Sequence, residues 1–305
     1  MPQLQPGSGI VRLLPTPEDL AQPDHAPLVV AYGIGVDSTA MLVEMSRLGI
    51  RPDLILSADT GNEKPETYAY LPVICDFLRR FCFPEVVVVR RNPTRSRKSG
   101  EVYRTLGENC TANSTLPSLA FGRKGCSLKW KREPQDKYVN SFEPARAAWK
   151  LGQKVVKLIG YDAGKKDARR SSIKDDAKYR YLYPLRLWGW DRERCEHEIL
   201  SAGLPLPPKS ACTFCPATKP AELEEMIRRD VRVATEIIEM ERRAAPGLKN
   251  VQGLWRKATK ARPGAMTPFV LEVLGKIEAE RAAGIRRTSA LRVLDQRPSP
   301  WPCYG

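Results

Sequence analysis

Histidine is almost missing from this chain of 305 residues, which has only His25 and His197. Imidazole catalysis and histidine-rich metal ligation are therefore poorly provided for, the more so because His25 sits in a proline-rich stretch. No apolar run approaches the ~18 residues that suggest a membrane span. Met1 to Pro27 carries Pro2, Pro6, Pro15, Pro17 and Pro23 and lacks the basic and apolar regions of a secretory signal. The expectation is a cytoplasmic protein, without membrane association, whose residues 1–27 form a flexible arm. Acidic residues are short as well: 35 Asp and Glu face 50 Lys and Arg, a net charge of +15. That excess attracts polyanions, nucleic acid foremost, although a merely solvated basic surface has the same composition. Oligomeric state is not legible.

Cysteine, by contrast, is present eight times. Cytosolic reductants keep such thiols from forming structural disulfides, so metal binding or thiol chemistry is their natural use. With so little histidine, any metal site must be mostly thiolate.

The pattern along the chain alternates strand and helix. Leu28 to Tyr32 is a short apolar run; Ser38 to Leu48 then places Met41, Leu42, Met45 and Leu48 at helical spacing. Asp53 to Ala58 and the valine-rich Glu85 to Val89 read as strands around a helix over 65–81. Two such βαβ units imply a parallel sheet with right-handed crossovers. Arg90 to Lys124 shows no period and reads as a long basic loop; a helix follows over 135–151, a strand over 154–160 and a helix over 192–202. Beyond residue 218 a single amphipathic helix over 221–243 and another over 269–283 form a helical annex with a basic tail.

The segment Tyr32-Gly33-Ile34-Gly35-Val36-Asp37-Ser38-Thr39 lies between the first strand and its helix. Gly33 and Gly35 let the backbone approach a ligand, and the Ser38 and Thr39 hydroxyls add donors beside free helix N–H groups, a setting that suits phosphate. A plain strand-to-helix turn is the bland alternative. Neither the Walker spacing with its lysine nor the G-x-G-x-x-G fingerprint is present. The segment resembles the S-G-G-x-D-S-T loop of PP-loop enzymes, with Gly33 for the family's serine, Ile34 for its first glycine and Val36 where many ATP-cleaving members carry lysine. Ser57-Ala58-Asp59-Thr60-Gly61-Asn62-Glu63-Lys64-Pro65-Glu66-Thr67 is similar to the D-T-G-x-x-x-P-E-T segment of PAPS reductases. Asp59 there would hold magnesium on phosphates or orient a ribose; alternatively Thr60 or Asn62 only caps the next helix. Gly160-Tyr161-Asp162-Ala163, followed by Arg169 and Arg170, resembles the segment that brings an arginine to the nucleotide phosphates.

Cys212-Thr213-Phe214-Cys215 is a CxxC in a proline-flanked turn, suited to placing two thiolates on one metal. Gly125-Cys126-Ser127-Leu128-Lys129 resembles the C-C-x-x-R-K segment of sulfonucleotide reductases, with Gly125 for the first cysteine and Cys110 as its substitute. Cys110, Cys126, Cys212 and Cys215 would make a four-thiolate site; the resemblance favours a [4Fe–4S] cluster, and Zn2+ suits the same ligands. Cys75, Cys82 and Cys195 read as ordinary core residues in helices. Tyr183-Pro184-Leu185, Trp188-Gly189-Trp190 and Gly203-Leu204-Pro205 look similar to a phage- and mobile-element-associated branch of the family.

Taken together, residues 28–218 resemble the PP-loop, adenine nucleotide alpha-hydrolase-like superfamily and its PAPS reductase-like family. The resemblance implies an α/β fold with a parallel doubly wound, HUP-like sheet and a C-terminal helical annex. It implies ATP or PAPS with Mg2+ as cofactor, Asp37, Ser38 and Asp59 as catalytic residues, and a nucleotide site of Gly33, Gly35, Asp37, Ser38, Thr39, Asp59, Thr60, Gly61, Glu63, Gly160, Asp162, Arg169 and Arg170. The activity expected is ATP-dependent adenylation coupled to sulfur transfer onto nucleic acid or a nucleobase, with a cysteine desulfurase or thioredoxin-like protein as sulfur donor. PAPS reduction through Cys303, or a non-catalytic nucleotide- or nucleic-acid-binding subunit with a structural metal, are the alternatives.

Overall fold

The structure, a computed structural model, describes residues 14–20, 25–165 and 172–285. Arg169, Arg170, Cys303 and the basic tail lie outside the described residues. The chain divides into two units, one of 1–113 and 123–212, the other of 114–122 and 213–305.

The first unit is built on a parallel five-stranded sheet. Its strands are β1 (Leu28–Ala31), β2 (Leu54–Asp59), β3 (Val86–Arg90), β4 (Val155–Ile159) and β5 (Tyr179–Leu182). They lie in the order β3-β2-β1-β4-β5, with Val30 opposite Ile55 on one side and Leu158 on the other. β1 and β2 are buried on nearly every side because helices cover both faces, as in parallel sheets generally. The first crossover is α1 (Val36–Arg47), which buries Met41, Leu42 and Met45; the second is α2 (Pro65–Arg80), which buries Tyr70, Leu71, Ile74, Phe77 and Leu78.

β4 carries one misfit, Lys157, which is 2 % exposed in the middle of the sheet. Its Nζ donates to Asp136 Oδ1 at 2.6 Å, and Arg132, bonded to the same carboxylate, donates to the Tyr181 hydroxyl at 3.0 Å. Burial pulls the Lys157 pKa down even though Asp136 opposes the shift.

Several sequence expectations are corrected. The stretch from Arg90 to Lys124 is not a structureless loop. It holds a small antiparallel ribbon, Thr94–Arg95 against Val102–Tyr103, and the helix α3 (Leu106–Ala112). Thr105 accepts from Glu108 N and the Glu108 carboxylate returns to Thr105 N, a capping box that a search for apolar period passes over. The helix expected over 135–151 is two, α4 (Glu133–Val139) and α5 (Glu143–Lys150), because Phe142 takes extended backbone before Glu143. Strand β5 was not anticipated. Cys82 is exposed and outside any helix, with φ of 55°. The last helix of this unit is α6 (Arg192–Ser201), capped by Asp191.

The second unit is helical. The single helix expected over 221–243 is two, α7 (Pro220–Arg229) and α8 (Arg232–Ala244), separated where Asp230 is extended. The third is α9 (Thr267–Ala282). Its N-terminus is held by Glu241, whose buried carboxylate accepts from Thr267 N and Oγ1 and from the N–H groups of Leu254 and Met266, at 2.6–2.8 Å. Four donors use every lone-pair direction of that carboxylate, so the charge is held without a cation. None of the helices described is long and apolar enough to cross a membrane.

Candidate functional site

The strand order reverses direction between β1 and β4, and the crevice outside the carboxyl ends of such a pair is where open parallel sheets bind ligands. Two of the segments singled out in the sequence meet there. After β1 the backbone turns through Gly33 and Ile34; Gly35 is extended, and α1 begins at Val36. After β4 comes Gly160. A Cβ on Gly160 would stand 2.9 Å from both the Cα and the N of Ser38, so only glycine lets the end of β4 touch the start of α1.

Ile34 has φ of 53°, left-handed backbone that a β-branched residue adopts only under constraint. Strain of this kind, about 1–3 kcal/mol, collects where the surrounding structure over-determines the backbone. Here the Ser38 hydroxyl supplies the constraint: it accepts from Gly33 N at 3.2 Å and donates to Gly35 O at 3.2 Å. Ser38 thus staples the loop from inside. Gly35 differs from Gly160, since a Cβ there would meet no atom within 4 Å. The space a side chain would take there is open.

Charge is arranged around this turn. Asp37 lies in the first turn of α1, and Arg192, half-exposed at the start of α6, reaches its carboxylate at 3.1 Å. Asp162 is buried, and its Oδ1 accepts from Gly164 N at 3.0 Å. Cys195 lies close to these carboxylates; burial, with the field of Asp37 and Asp162, pushes its thiol up to about 12. It is a core thiol rather than a nucleophile, as its helical position suggested. An α-helix leaves its first N–H groups without intrahelical acceptors, and its dipole favours anions there. The crevice therefore combines a helix N-terminus, an open glycine and one arginine in reach.

Not every residue expected at the site faces it. Thr39 is fully buried and its Oγ1 bonds the Tyr32 hydroxyl at 3.1 Å, so it serves the core beneath the loop. Asp59 is a scaffold residue. Its Oδ1 accepts from Gly61 N and from the Tyr68 hydroxyl, both at 2.7 Å, and its Oδ2 pairs with Arg90 at 2.5 Å. Both oxygens of Asp59 are thus engaged by protein donors in this structure. Burial, with the field of Asp59 behind it, raises the Tyr68 pKa far above that of an ordinary phenol, so Tyr68 stays a donor.

The rest of that segment is occupied too. Gly61 has φ of 77°, and a Cβ there would come within 2.4 Å of Thr105 Cγ2. Thr60 O accepts from Leu106 N at 2.9 Å, and Glu63 pairs with Lys131 at 2.7 Å and accepts from Ser210 at 3.2 Å. Segments 59–64 and 210–212 are laced together by Lys64 N to Ala211 O, 3.1 Å.

This lacing places Cys212 Sγ 3.2 Å from Thr60 Oγ1. Cys110 is buried, whereas Cys126 and Cys215 are half-buried. Among the described residues no group of three or more His, Cys, Asp or Glu side chains stands so as to hold a metal ion. Cys110, Cys126 and Cys212 belong to the first unit and Cys215 to the second, and no step is derived through a cluster or zinc.

Arg192 is the residue that sequence reasoning missed. It lies 155 positions from Asp37 and belongs to no local motif; only the packing of α6 on α1 brings it to the loop. The one sequence signal was a helix opening with arginine after the Trp188-Gly189-Trp190 run.

No protein-family model matches the chain, and no curated protein does. Among solved structures it is similar to phosphoadenylyl-sulfate (PAPS) reductase from Candida auris in its phosphate complex, at 18% identity over 63% of this chain and 82% of that one, with a TM-score of 0.37. The α/β assignment rests on the strand order itself, not on that likeness.

Proposed function

We propose that this chain is a nucleotide-binding enzyme that holds the phosphates of ATP in the crevice between β1 and β4. The observation that carries the reading is the contact of Gly160 with Ser38. It brings two strand ends together at the start of α1 and leaves Gly35 open toward solvent. Backbone N–H groups at Val36 to Ser38 would bind phosphate oxygens, and Arg192 would exchange its Asp37 partner for a phosphate. Asp37, freed, would orient the attacking group.

The chemistry that fits is adenylation. An acceptor oxygen attacks the α-phosphorus of ATP, a new P–O bond forms, the α–β bridging bond breaks and pyrophosphate leaves. A sulfur nucleophile delivered by a donor protein would then displace AMP from a nucleic acid or nucleobase acceptor. The net charge of +15 supports a polyanionic acceptor. PAPS in place of ATP would occupy the same crevice, with sulfite release depending on Cys303.

Gly35→Val is the sharp test. Gly35 has φ of −125° and ψ of 170°, backbone that valine adopts readily, and its Cβ would point into empty space. The variant should keep its thermal midpoint yet lose ATP affinity at least tenfold in calorimetric titration. Unchanged affinity for both ATP and PAPS would remove the nucleotide from this crevice.

A further inference from the structure

Cations in the second unit fall into two populations. Those on its helices are largely neutralised: Arg228 pairs with Glu224 and Glu280, Arg229 with Glu225, Arg232 with Asp230, Arg242 and Arg243 with Glu239, and Lys276 with Glu272. Those on the connection between α8 and α9 are not. Between Glu241 and Glu272 the sequence contains no acidic residue, yet it carries Lys249, Arg256, Lys257, Lys260 and Arg262. Lys249, Arg256, Lys257 and Lys260 are exposed, and among the described residues none of the five makes an ion pair.

This connection is held in one shape. Trp255 is buried and its Nε1 donates to Thr218 O at 2.8 Å; Gln252 N bonds Arg256 O at 2.7 Å; Thr259 N bonds Arg262 O at 2.9 Å. Arg262 lies over the Trp255 ring at 5.1 Å. Arg256 adopts φ of 73° and stands where a Cβ on Gly122 would fall, at 2.9 Å from its Nη1. The hub beneath is Glu241, whose lone pairs are spent on three backbone N–H groups and one hydroxyl. Its charge therefore faces inward. A fixed loop that concentrates unneutralised cations destabilises itself by repulsion, a cost that a bound polyanion removes.

We propose that the loop 249–262 is a docking surface for the phosphate backbone of nucleic acid. The chemistry argues for backbone rather than base contact: the loop's one aromatic ring, Trp255, is buried and covered by Arg262, so no stacking platform is offered. Binding would be independent of sequence and governed by counterion release. The inference does not rest on the crevice of the first unit, and failure of ATP binding there leaves it intact.

The test uses the full chain, a fluorescent DNA duplex and a salt titration. Lys249→Ala/Lys257→Ala/Lys260→Ala removes three exposed cations and should not lower the thermal midpoint. Each lost phosphate contact lowers the slope of log Kd against log salt by about 0.9, so a fall of about 2–3 units is expected. Arg242→Ala/Arg243→Ala/Lys276→Ala removes the same charge from paired positions and should lower the slope by less than half as much. Equal falls in the two variants would reduce the effect to net charge and overturn the proposal, as would an unchanged slope in the loop variant. Displacement of the duplex by poly-glutamate at matched charge concentration would also overturn it, in favour of an acidic protein partner.

Discussion

Glycines 35 and 160 look alike in the sequence, and the structure separates them. Gly160 has no freedom of substitution, because the atoms that a Cβ would strike are Ser38 backbone, which cannot swing away as a side chain can. Overpacking of this kind costs about 1–3 kcal/mol, and relief must come from moving β4 away from α1. Gly160→Ala should therefore lower the urea midpoint and weaken ATP binding together, whereas Gly35→Ala should change neither the midpoint nor the fold. Urea unfolding followed by titration of both variants checks this. A Gly160→Ala protein as stable as the parent would mean that the two strand ends are not in contact. The aspartates differ in their partners: Asp37 pairs with Arg192, while Asp59 bonds Arg90, Tyr68 and the N–H of Gly61 in its own turn.

Among the elements, the contact between α1 and α6 positions the crevice, since it carries Arg192 to the loop. Glu198 is its clamp. The carboxylate is 5 % exposed and bonds Arg47 from α1 and Arg194 from its own helix, and Arg47 Nη2 also reaches Glu198 O at 3.4 Å. Burial works against the charge, but the Arg47 hydrogen bond and the arginine fields outweigh it and hold the Glu198 pKa below the usual 4.5. A carboxylate with a depressed folded pKa contributes stability above its unfolded pKa and loses it as pH falls through the folded value. Glu198→Gln should accordingly be less stable than the parent at neutral pH, and the gap in urea midpoint should narrow as pH drops below 4.5. A gap that is constant between neutral and acid pH would show that the ion pair contributes nothing.

The elements also show what the sequence makes legible. β1 to β4 and the helices α1, α2 and α6 announce themselves through apolar runs and periodicity, because each buries a continuous face. Strand β5 does not, as its residues Tyr179-Arg180-Tyr181-Leu182 carry an arginine and two hydroxyls, that of Tyr181 accepting from Arg132, and pair with β4. Breaks such as Asp230 in the annex escape a count of apolar spacing, since the stripe continues on both sides. At the site, the turn after β1 and Gly160 are legible from local motif. Arg192 and the engagement of Asp59 are tertiary facts, fixed by residues that the sequence sets far apart.

At the scale of the whole molecule, the two units are interleaved rather than consecutive, since residues 114–122 belong with 213–305 although 123–212 return to the first unit. Within the second unit this excursion is well packed: Leu116 is 3 % exposed, Ala120 is fully buried, and Gly122, at φ of 77°, backs onto the Arg256 guanidinium. Ending the chain after Cys212 would therefore not trim away an independent annex. It would leave 114–122 anchored at both ends in the first unit without the residues 213–305 it is grouped with, and Leu116 should then become exposed. Burying a leucine side chain contributes about 1.5–3 kcal/mol, so its exposure leaves the excursion little reason to hold its shape. Limited proteolysis with mass-spectrometric mapping should find 114–122 protected in the full chain and cleaved early in the 1–212 fragment, whose thermal midpoint should also fall. Equal protection in both would assign the excursion to the first unit and make Cys212 a true boundary.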